Sequence, residues 1–197
     1  MDTMNTQTWM VLGLVLVLAL IALAAFLFYQ KKQSQRLAER FGPEYGRTVK
    51  ALGSRTKAES ELKTREQRVE HFDIVPLSPA DADRFGRAWK ALQGNFVDDP
   101  TGAVVQADQL VRELLLKRGY PMSDFERRAA DISVDHPTVV SNYRAAQAIA
   151  ARNQRGEAST EELRKAVVHY RALFDELLEV REVRQETMAA RPIEAHS

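Results

Sequence analysis

The chain has no cysteine. That excludes disulfides, thiol nucleophiles, cysteine zinc sites and cysteine-borne lipids. It has only four histidines, at positions 71, 136, 169 and 196, and none stands in an HExxH or HxH spacing. Nine glycines leave little material for a phosphate-cradling loop, and neither a P-loop, a dinucleotide fingerprint nor a serine elbow occurs. No stretch alternates apolar and polar residues as a half-buried strand would. No catalytic residue, cofactor or metal ligand set is expected from these residues, and the reading leans away from an enzyme.

What the sequence does have is one long apolar run. Trp9 to Tyr29 holds 21 residues without a charge. As a helix it covers roughly 30 Å, the thickness of a bilayer's hydrocarbon core. A buried soluble helix would show a polar face, and this run has none. A secretory signal is the alternative. Ala22-Leu23-Ala24 has the form of a cleavage site, but Asp2 replaces a basic leader and Phe26 to Tyr29 carry the apolar run past it. The sequence predicts a transmembrane helix over 9–29, anchored at its two interfaces by Trp9 and Tyr29. Lys31 and Lys32, followed by Arg36 and Arg40, mark the cytoplasmic side. The expected topology has residues 1–8 outside and the rest of the chain in the cytoplasm of a single-pass inner or plasma membrane protein.

The charge is uneven. Residues 31–72 sum to +5 and residues 73–197 to −3, within a formal net charge of +1. A basic segment beside a membrane is attracted to anionic headgroups by about 1 kcal/mol per side chain, so a lipid-surface role is one reading. Nucleic acid is not expected, because glutamates interrupt the basic residues and no stacking aromatics accompany them.

The fold class is all-α. Residues 30–72 read as a helical juxtamembrane stalk, mostly solvated, after a break at Gly42-Pro43. Its thin stripe of Val49, Leu52, Leu62, Val69 and Phe72 offers at most a weak seam for self-association. Pro76 and Pro79 set a boundary, and residues 73–188 read as a compact bundle of about four main helices and a short one. Ser78 and Asp99 cap helices that open with Pro79 and Pro100. Ser123-x-x-Glu126 and Ser159-x-x-Glu162 have the form of capping boxes. Gly119 stops a helix in the left-handed region. Leu163, Ala166, Val167, Tyr170, Leu173, Phe174 and Leu177 form the clearest apolar face. Residues 189–197 read as a flexible tail.

One polar cluster stands out: Asp131, Asp135 and His136, within DISVDHP. A functional reading makes them an acid/base or ligand site. Helix capping accounts for two or three of them without function, with Asp135-His136-Pro137 starting the next helix, and is the favoured reading.

The segments RFGPEY (40–45), FVDDP (96–100), RGYP (118–121), VDHP (134–137) and HYRALFDELL (169–178) together resemble a family of uncharacterised bacterial membrane-anchored proteins. The resemblance implies a bacterial single-pass helical protein and supplies no activity and no site residues. The function expected is a membrane-tethered interaction or scaffold module with a protein partner. An enzyme or small-ligand binder using Asp131, Asp135 and His136 is the alternative.

Overall fold

A computed structural model describes residues 6–189, which form eight α-helices and no strand. The expected outer N-terminus at residues 1–5 and the expected flexible tail from residue 190 lie outside the described residues. The chain divides into two units, one ending at Arg40 and the other beginning at Phe41.

The first unit is the helix α1, Thr6–Phe41, up to its last residue. From Leu12 to Tyr29 its side chains are exposed along the whole apolar run, as a helix meant for a non-aqueous medium requires. It is the only helix among the described residues long and apolar enough to cross a membrane. The apolar run and the basic residues after it form one continuous helix. Gly42 ends it with φ +46, a value that costs glycine little, and Pro43 opens the next helix at once.

The second unit contains α2 (Pro43–Leu52), α3 (Arg55–Val69), α4 (Pro79–Asn95), α5 (Pro100–Lys117), α6 (Phe125–Asp135), α7 (Val140–Gln154) and α8 (Thr160–Ala189). Short side chains start most of them. Ser78 Oγ accepts from the Asp81 N–H, and Asp99 Oδ1 accepts from the Gly102 N–H at 2.8 Å. Ser159 and Glu162 cap each other reciprocally. At α6 the cap is one residue later than expected: Asp124, not Ser123, accepts the Arg127 N–H at 3.0 Å.

Helix α8 is the centre. Its predicted face is buried throughout, against α5 on one side and α7 on the other, and α4 packs on α5. Trp89 of α4 lies against Phe174 of α8 with ring centroids 4.5 Å apart. Tyr143 of α7 meets Tyr170 of α8 edge to face.

The expected solvated stalk is different. Gly53, at φ +63, splits residues 43–69 into α2 and α3. Both belong to the second unit: α3 packs on α2 and on α6, and Ala58, Leu62 and Val69 are buried. Leu62 and Val69 are therefore spent on the chain's own packing. The boundary expected at residue 73 falls inside this unit.

Candidate functional site

Two elements meet where the sequence cluster lies. Helix α6 carries Asp131 and Asp135 one turn apart in its second half, and His136 is the residue that closes it. The capping account thus fails for these residues. They sit at a helix C-terminus, where a carboxylate finds carbonyls instead of N–H groups. Each is held instead by a partner distant in sequence.

Asp131 is buried and is bridged by Arg68 of α3, at 2.7 Å from Nε and 2.6 Å from Nη2. Asp135, exposed, accepts a 2.9 Å hydrogen bond from the Tyr120 hydroxyl. His136, buried, stands with Nδ1 3.2 Å from Glu176 of α8. Tyr120 comes into place because Gly119 turns the chain after α5. At φ +94, Gly119 lies against the Asp73 carbonyl, so a Cβ there would fall 2.1 Å from that oxygen. The Val75 N–H bonds the Arg118 carbonyl across the same junction.

A cleft of about 350 Å³ opens beside these groups. Val69, Phe72 and Ile74 give it an apolar wall, while Arg118, Tyr120, Asp135 and His136 give it a polar one. Asp131 does not line it. The structure therefore brings Asp135 and His136 to one cavity and commits Asp131 to an ion pair. Tyr120 and Arg118 were not assigned to the site from sequence. Their only local signal is the RGYP turn that carries them.

Burial, then the charge and hydrogen bond of Asp135, push the Tyr120 phenol far above its ordinary range. It stays a donor at any physiological pH. Among the described residues no three His, Cys, Asp or Glu side chains converge to hold a metal ion. A paired acid, an imidazole and a phenol on a half-apolar wall suit a ligand with both polar and apolar parts.

A second charged centre gathers round Glu44. Glu44 of α2 is 2% exposed and accepts from Arg47, Arg65 and Arg144 at 2.9–3.2 Å. Burial resists its ionisation most, but the Arg47 hydrogen bonds and the charges of Arg144, Arg47 and Arg65 reverse that. The carboxyl ends below its usual range.

Comparison with known proteins finds no matching family model, no similar curated protein and no similar solved structure.

Proposed function

We propose that this chain is a membrane-tethered binding module: α1 is the anchor, and the helical unit from Phe41 onward recruits a protein partner without chemistry of its own. The observation that carries the reading is α1 itself. It is a helix exposed along an uncharged run, joined through one glycine to a well-packed unit. Such a helix stays in water only at the cost of its whole apolar surface. The basic residues after Tyr29 support a cytoplasmic position for the helical unit.

The absence of cysteine makes the test clean. Thr6→Cys and Glu157→Cys each introduce the chain's single thiol. In intact cells an impermeant maleimide labels Thr6→Cys at once and Glu157→Cys only after permeabilisation. The reverse pattern overturns the orientation. Loss of the apolar segment from the mature chain would show instead that it is a cleaved signal. A biotin ligase fused after Ser197 then reads the recruitment. A short, reproducible set of labelled proteins supports it, and labelling of abundant bystanders only counts against it.

A second reading rests on the cleft at Asp135 and His136. The carboxylate does not cap a helix, and a cavity opens beside it. On this reading the unit binds a small amphipathic ligand there. A compound screen by thermal shift tests it, with hits required to lose their effect in both Asp135→Asn and His136→Gln.

A further inference from the structure

Three helices of the second unit point arginines into one place. Arg47 of α2, Arg65 and Arg68 of α3 and Arg127 of α6 line a cleft of about 420 Å³. Three of the four are held in position from behind. Glu44, buried, takes two hydrogen bonds from Arg47 and one from Arg65, and Asp131, buried, takes one from Arg68 Nε, with Arg68 Nη2 2.6 Å from the same oxygen. Each of these guanidiniums spends two of its three nitrogens on carboxylates and keeps the third. Arg127 forms no ion pair among the described residues, and its exposed side chain completes the lining.

Acids line the cleft too, and their positions decide the sign. Glu61 and Glu126 are surface side chains, 41% and 70% exposed, paired with Arg65 and Arg144. The glutamate end of each pair is open to water, which competes with the arginine for the carboxylate. Asp124 is engaged by the backbone at the start of α6, accepting the Arg127 N–H. The buried acids are fixed and the exposed ones can swing away. What stays in the cleft is one remaining guanidinium nitrogen from each of Arg47, Arg65 and Arg68 beside Arg127, and charged N–H donors converging from three helices match the several oxygens of a tetrahedral anion. A chloride ion would meet charge but could not use the separate donor directions.

We propose that this cleft binds a phosphate monoester dianion, with Arg47, Arg65, Arg68 and Arg127 as its donors. The site lies apart from the Asp135 and His136 cavity and does not depend on either reading of function above. Two sources present this chemistry: a soluble phosphate ester, or the headgroup of a lipid such as phosphatidic acid.

The test uses the full chain in phosphatidylcholine vesicles, titrated calorimetrically with inorganic phosphate against sodium chloride of equal ionic strength. Binding of phosphate but not chloride is expected. Arg47→Gln and Arg127→Gln should each weaken it about tenfold, as loss of a charge-assisted hydrogen bond implies. Glu61→Gln should strengthen it several-fold by removing a competing carboxylate. Arg127→Gln keeps the test valid if Arg47→Gln fails to fold. Repeating the titration with phosphatidic acid in the vesicles assigns the source. Weaker phosphate binding means that the lipid headgroup occupies the cleft, and unchanged binding means a soluble ester. No phosphate heat above the chloride control overturns the proposal, and so does equal affinity in Arg127→Gln and the parent.

Discussion

Arg68 and Asp131 are 63 residues apart in sequence and form an ion pair between α3 and α6 in which two guanidinium nitrogens meet one carboxylate oxygen, with Asp131 almost wholly buried and Arg68 23% exposed. The pair fastens the segment expected to be a free stalk onto the bundle. Removing the cation leaves a buried carboxylate without compensation, which typically costs about 3–5 kcal/mol. The partial exposure of Arg68 places Arg68→Ala near the lower end, at about 3 kcal/mol. Urea unfolding measures it. Arg68→Ala combined with Asp131→Ala should recover part of the loss, because no lone charge remains buried. A double variant as unstable as the sum of the singles would show that the pair does not couple.

Gly119 and Gly53 both take positive φ, yet only one of them is crowded. At Gly53 a Cβ meets nothing within 4 Å, so Gly53→Ala bears only the left-handed backbone, about 1–2 kcal/mol. At Gly119 the Cβ would overlap the Asp73 carbonyl, and the junction between residues 73–75 and the end of α5 must open. Gly119→Ala should cost clearly more, with loss of amide-exchange protection at Val75 as a local signature. Equal thermal shifts in the two variants would contradict this.

Acid should loosen α2. The Glu44 carboxyl lies below its usual 4.5 in the folded chain. Between the two values the unfolded state binds more protons. The stabilisation is therefore complete above the ordinary carboxylate range and fades as pH falls through the lowered value. At neutral pH Glu44→Gln should destabilise by about 3 kcal/mol, since it removes the buried charge that three guanidiniums share and leaves Arg47 without its carboxylate. The gap between parent and variant should close as the pH is lowered below the ordinary range. A gap that stays constant in a series of urea unfolding curves would rule out the linkage.

Trp89 is buried against Phe174, and its indole N–H has no hydrogen-bond partner among the described residues. Trp89→Phe loses area but also removes an unsatisfied donor, so the two effects offset and the net cost should stay below about 1.5 kcal/mol. Trp89→Ala leaves a cavity and should cost about 3–5 kcal/mol. Thermal unfolding of the two variants separates these outcomes.

What could be read from the sequence was local. Ser78, Asp99, Gly119 and the Ser159–Glu162 box act within one helical turn, and the α8 face follows from period alone. The misread parts depend on distant partners. Helices α2 and α3 looked solvated because their buried positions include Glu44, Thr48 and Arg65, which pattern reading assigns to water. The capping account of Asp135 and His136 missed that α6 runs on to Asp135, and their partners Tyr120 and Glu176 lie 15 and 40 residues away. The Arg118 and Tyr120 wall of that cleft had no periodic signal at all. It exists because Gly119 lets the chain pass close to Asp73.

The Glu44 centre also sets an order of events during synthesis. Arg144, which closes it, is 100 residues downstream. At about 5–20 residues per second, Glu44 leaves the ribosome roughly 5–20 s before that partner exists. Through that interval α2 has no α7 to dock on. Arg47, one turn ahead on the same helix, is the only one of the three arginines available from the start. It gives the carboxylate a local companion in the nascent chain, and the final burial of Glu44 waits for the C-terminal half to arrive.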